Sequence, residues 1–101
     1  MSDAIPTALY EEAQRILSPK PISLRLAIGQ AIRNLRHERQ MTLRDLQGKT
    51  YIALAHLSEI ERGVKNTVPD YYETLSRAFG VTIEEFFDEV FKARKGKVVH
   101  K

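Results

Sequence analysis

Cysteine is absent from this chain of 101 residues, so neither a disulfide nor a thiolate metal site can help to hold it together. Long apolar runs are missing as well. No stretch approaches the ~18 residues of a membrane-spanning helix, and the first residues lack the basic and apolar regions of a signal peptide. The expectation is a soluble, cytoplasmic protein that makes no membrane contact. His37, His56 and His100 have no cysteine partner and no metal-ligand spacing. Glu59 and Glu61, two residues apart in a helical stretch, point to different faces rather than to a shared site. A chain of this length forms one domain with a modest helical core and no cleft between lobes. These absences argue against an enzyme, a metal site and a cofactor.

What is present is charge in blocks. The net charge is +3, but residues 23–66 carry eight Lys/Arg against four Asp/Glu, and residues 67–91 carry one against six. The last ten residues carry five basic side chains and no acidic one, whereas residues 1–22 carry two against three. A basic half followed by an acidic half is expected where one face meets phosphate and another turns away from it. Charge blocks that merely solvate helices would give the same pattern.

The chain is organised around Thr42 to Gly63, TLRDLQGKTYIALAHLSEIERG. Thr42 suits a helix N-cap, and Asp45 puts a carboxylate in the first turn, where the helix dipole favours it. Leu43 and Leu46 give a small inner face. Ile52, Leu54, Leu57 and Ile60 set up a second stripe, which Gly63 ends. Upstream, Ser23 caps a longer helix to about Arg39, with Ile28, Ile32 and Leu35 inward and Leu24 or Leu26 one turn earlier. Downstream, Pro69 suits the first turn of a helix with Tyr72, Leu75, Ala78 and Phe79 inward, ended by Gly80. Thr82 and Glu85 form a capping box for a last helix. Its Ile83 and Phe86 are expected in the core with Phe79. Before all of these, Thr7 to Leu17 has helical spacing and is stopped by Pro19 and Pro21. The expected organisation is an N-terminal arm and short helix (1–22), a helical domain (23–91) and a basic tail (92–101).

The ending LSEIERG at 57–63, with IRNLRHERQMT before it and LSRAFGVTIEEFF after it, resembles the Cro/C1-type (XRE-like) helix-turn-helix proteins. The likeness runs without gaps from about Ile28 to Phe87. It implies an all-α fold: a compact five-helix, lambda-repressor-like DNA-binding domain, here with an additional N-terminal helix. It also implies a structural ion pair between Arg36 and Glu61. Glutamine stands at position 40 and tyrosine at 51, where family members often have glycine. A residue other than glycine is disfavoured at positive φ, so the turn between the two central helices is expected to be looser or differently bent. Gly48 inside the short helix costs ~1 kcal/mol against alanine.

Matched position by position, the family's base-reading residues fall on Leu54, Ala55, His56 and Glu59. His56 could donate to a guanine, Glu59 could accept from a cytosine amino group, and Leu54 or Ala55 could pack on a thymine methyl. Phosphate contacts would fall to Thr42, Arg44, Lys49, Arg62, Lys65 and Asn66, together with the open N-terminus of the helix that Thr42 begins. The last helix carries more apolar surface than one monomer core needs, so Phe87, Val90 and Phe91 are expected at a homodimer interface. The implied function is a transcriptional regulator, repressor-like, bound to double-stranded DNA at a short palindromic operator. The alternative is a protein-binding module on the same fold, an antitoxin, an anti-repressor or an adaptor, acting through a protein partner.

Overall fold

Five helices follow one another in the computed structural model, which describes residues 22–95. The expected helix at 7–17 and the last residues of the basic tail lie outside the described residues. Helix α1 spans Leu24–Glu38, α2 Leu43–Thr50, α3 Leu54–Glu61, α4 Pro69–Phe79 and α5 Ile83–Arg94. Among the described residues there is no strand, and no helix is long and apolar enough to cross a membrane.

Each helix boundary has a local cause. Ser23 accepts a hydrogen bond from the Leu26 amide at 3.2 Å to start α1. Reciprocal capping boxes start α5 (Thr82 with Glu85), as the sequence implied, and also α2, where Asp45 caps Thr42 in return. Pro69 opens α4 where its missing N–H costs nothing. Gly80 closes it in the left-handed region at φ 73°.

Helix α1 is the central strut, packed along α5 and across α3. Its buried face is Ala27, Ile28, Gly29, Ala31, Ile32 and Leu35. The expected extension of the stripe through Leu24 or Leu26 is not found; both are about half exposed, and alanines take the inner positions. At about 100° per residue Leu26 falls outside the arc of Ala27, Ala31, Leu35 and Ile28, and Leu24 stands in the first turn, at the end of the stripe. Gly29 lies at the other edge of the buried arc from the alanines, where the backbone of α3 comes so near α1 that a side chain would not fit. Leu46 from α2, Ile52, Leu57 and Ile60 around α3, Leu75 and Phe79 from α4, and Phe86 from α5 complete the core. Ile83 is only partly buried and stands outside that cluster.

Two further expectations need correction. Val90 is completely buried, one turn after Phe86 on the same face of α5, so it is a core residue and cannot meet a partner chain. Phe87 and Phe91 form the neighbouring stripe: Phe87 is partly buried and Phe91 half exposed. The basic tail, in turn, does not begin at residue 92, because α5 continues through Lys92 and Arg94.

The turn between α2 and α3 is closed rather than loose. Tyr51 takes the left-handed conformation itself, with φ 62°, and its amide donates to the Gln47 carbonyl at 2.7 Å. Buried Thr50 stitches both sides: its hydroxyl donates to the Leu46 carbonyl at 2.9 Å and accepts from the Ile52 amide at 3.2 Å. Gln40, before α2, is also left-handed at φ 53°.

Candidate nucleic-acid interface

Helix α3 has one side packed into the protein and one side exposed. At about 100° per residue, buried Leu57, Ile60 and Glu61 define its inner arc. Ala55, Ser58, Glu59 and Arg62 then fall on the opposite arc, with Leu54 and His56 at its two margins. Ala55 and Arg62 are exposed among the described residues, and Ser58 and Glu59 are partly exposed.

The inner side is fixed to α1 by charge as well as by packing. Glu61 is buried, and its carboxylate receives Arg36 Nε at 2.7 Å and Arg36 Nη2 at 3.0 Å. Arg36 Nη1 also donates to the Met41 carbonyl at 2.9 Å, which ties the start of α2 into the same knot. The hydrogen bond to Glu61 holds the Arg36 guanidinium above its ordinary pKa, against the opposing effect of burial. Arg33 adds a longer contact to Glu61 at 3.5 Å from a half-exposed position that the sequence did not single out. Three anchors therefore hold the end of α3: this ion pair, the tight approach at Gly29, and the Gly63 turn (φ 76°) seated against Leu26.

The outer arc continues into α2. Leu54, Ala55 and Ser58 line one shallow groove with Thr42, Leu43 and Arg44. On the other margin, His56 packs against Tyr71 of α4, with ring centroids 5.5 Å apart and planes at 67°. Its Nδ1 lies 3.8 Å from the Glu59 carboxylate.

The expected phosphate contacts divide. Arg44 stands in the α2–α3 groove, and Arg62, Lys65 and Asn66 are exposed beyond the end of α3. Arg25 shares a groove with Asn66 and is a cation that sequence matching overlooked. Lys49 is elsewhere; it lines a separate cleft between α2 and α4 with Thr74, Arg77 and Ala78. At the α2 N-terminus two amides are already used. The Thr42 amide donates to Asp45 Oδ2 at 2.8 Å, and the Asp45 amide donates back to the Thr42 hydroxyl at 3.0 Å. The Thr42 amide first, and the Thr42 hydroxyl beside it, hold the Asp45 carboxyl below its ordinary pKa.

The pair α2–α3, joined by a left-handed turn and clamped from behind by Arg36, has a counterpart in known sequences. The profile of the helix-turn-helix family matches residues 32–86, from the middle of α1 into α5. The chain belongs to the helix-turn-helix family, of the Cro/C1 type. Among curated proteins, this helix-turn-helix chain is 31% identical over 65 residues to the HTH-type transcriptional regulator DdrOP3 of Deinococcus deserti. That match covers 64% of this chain but only 50% of the relative, so the chain spans about half its length. Among solved structures it is similar to the clp gene regulator ClgR of Corynebacterium glutamicum. There the TM-score is 0.69 at 27% identity, over 76% of this chain and 99% of that one. It is also similar to the restriction-modification controller protein C.Esp1396I, solved as a tetramer with its natural 35-base-pair operator. That likeness has a TM-score of 0.65 at 27% identity, over 70% of this chain and 93% of that one.

Proposed function

We propose that this helix-turn-helix chain is a sequence-specific, repressor-like transcriptional regulator that binds a short palindromic operator as a homodimer, with α3 in the major groove. The observation that carries the reading is the division of α3: an inner arc immobilised against α1, and an outer arc left free. A reading helix needs both, because base contacts demand a fixed frame and an uncovered face. C.Esp1396I, a relative of the same fold, is known with its operator bound.

Ala55 and Glu59 stand at the centre of the reading arc, with Leu54 and His56 on its edges. Ala55 and Leu54 suit thymine methyls, and Glu59 suits a cytosine amino group. Arg44, Arg62, Lys65 and Asn66 take phosphates, helped by the Thr42 hydroxyl; Lys49 is turned towards α4 and is not assigned to this face. Phe91, supported by Phe87, supplies the apolar contact between protomers. Half-sites then lie about one helical turn apart. The work is done in the cytoplasm, on DNA.

The test is an unbiased DNA selection with the purified protein, followed by titrations at several salt concentrations. The expected result is a motif of two half-sites whose base preferences weaken on Glu59→Ala or His56→Ala. Lys65→Ala should weaken all sequences alike and reduce the salt slope by about 0.9. Phe91→Ser should shift the protein towards monomer. Binding without sequence preference would sink the proposal. It would favour instead a protein partner on the mostly apolar groove of Leu43, Leu54 and Ala55.

A further inference from the structure

We propose that Tyr71 is a specificity-positioning residue: its ring, projecting from the first turn of α4, holds the His56 imidazole in one orientation and so decides what α3 reads at that position. The inference rests on the DNA-reading function proposed above and extends it to a residue outside the helix-turn-helix pair.

A histidine at the margin of a surface helix can occupy several staggered rotamers, and only one presents a given nitrogen to a base edge. Hydrogen bonds weaken steeply once their angle departs from linear, so a freely turning imidazole discriminates poorly between bases. His56 is not free. The Tyr71 ring meets it edge to face at 5.5 Å and 67°, the arrangement in which the positive rim of one ring faces the negative face of another. Glu59, one turn along α3, lies 3.8 Å from Nδ1, too far for a hydrogen bond but close enough to bias that side of the ring. Nε2 makes no hydrogen bond among the described residues and is the atom left to read.

Tyr71 is itself held firmly. Pro69 fixes the first turn of α4, and the Tyr71 amide donates to the Val68 carbonyl at 2.9 Å. The next residue, Tyr72, is locked into the aromatic cluster of α5, 5.1 Å from Phe87 and 6.0 Å from Phe86. Tyr71 is partly exposed and packs against the edge of the core rather than within it, so thermal midpoints are needed beside the base preferences.

The experiment is a base selection carried out in parallel with the wild type, His56→Ala, Tyr71→Phe and Tyr71→Leu, with thermal midpoints and salt slopes measured on each. The wild type should prefer one base pair by about tenfold at the position that His56→Ala makes indifferent. Tyr71→Leu should lose most of that preference at the same position alone, and Tyr71→Phe, which keeps the ring, should retain it. Salt slopes should not move. If Tyr71→Leu keeps the full preference that His56→Ala abolishes, Tyr71 does not position His56, although the DNA reading survives. If Tyr71→Leu loses affinity equally at every position and melts earlier, it is a packing residue and the proposal is overturned. If His56→Ala changes no base preference, the role of His56 in reading falls and this proposal with it.

Discussion

Gly29 in α1 has the Ile60 and Glu61 carbonyls where its side chain would be. A methyl group placed there would come within 2.5 Å of the Ile60 oxygen and 2.8 Å of the Glu61 carbonyl carbon, both backbone atoms that cannot turn aside. Gly29→Ala is therefore expected to push the end of α3 away from α1 and to cost about 1–3 kcal/mol. Gly48, in the middle of α2, has nothing within 4 Å of the same position. Gly48→Ala should stabilise by about 1 kcal/mol, through helix propensity alone. Urea unfolding of the two variants beside the wild type gives both signs in one experiment.

The two arginines on Glu61 should differ sharply. Arg36 makes two short hydrogen bonds from a mostly buried position, whereas Arg33 reaches the same carboxylate at 3.5 Å with a half-exposed side chain. Arg36→Ala leaves a buried carboxylate without its main partner and is expected to cost about 3 kcal/mol. Arg33→Ala should cost less than about 1 kcal/mol, because water screens its charge. Chemical denaturation, with circular dichroism to confirm the helices, separates the two. Equal losses would mean that Arg33 carries more of the pair than its distance suggests.

Tyr51 is 91% exposed and left-handed. A residue with a Cβ sits in that region at a cost of about 1–2 kcal/mol, and the exposed ring recovers little of it by packing. Tyr51→Gly should raise the unfolding free energy by about 0.5–1 kcal/mol once glycine's greater freedom in the unfolded chain is subtracted. A lowered thermal midpoint would show that the ring does more for the turn than its exposure allows.

The capping carboxylate of Asp45 makes stability depend on acid in one direction. Its pKa in the folded protein is lowered by the Thr42 hydrogen bonds. The stabilisation is thus complete above the ordinary carboxylate range and disappears as the pH falls through the lower folded value. Wild type should be more stable than Asp45→Asn at neutral pH, and the difference should close in acid. Urea midpoints of both proteins across that range provide the check.

Most of the helices could be read in the sequence because their ends are chemically marked: Ser23, Thr42 and Thr82 as caps, Pro69 as a starter, and Gly63 and Gly80 as stops. The face of α1 was harder to read. Hydrophobicity favours Leu24 or Leu26, but the inner positions belong to Ala27 and Ala31, and which residues a neighbouring helix covers is a tertiary quantity. Val90 was misplaced for a related reason: an apolar residue near a helix end looks the same whether it faces its own core or a partner. In the site, family likeness singled out α3, whose outer arc is exposed. The edge contact of Tyr71 with His56 and the second arginine on Glu61 join residues 15 and 28 positions apart, and no local pattern announces them. Left-handed Tyr51 and Gln40 show the backbone keeping its course where composition alone suggests that it would change.

The Asp45 cap has a meaning beyond stability. Helix α2 brings to the groove margin the positive end of its dipole, a place that ordinarily draws a phosphate. Here a carboxylate of the chain stands beside it, so the helix carries its own counterion. An anion that approaches this end meets partial positive charge that is already part-neutralised, and Asp45→Asn would leave that charge to be met from outside the chain.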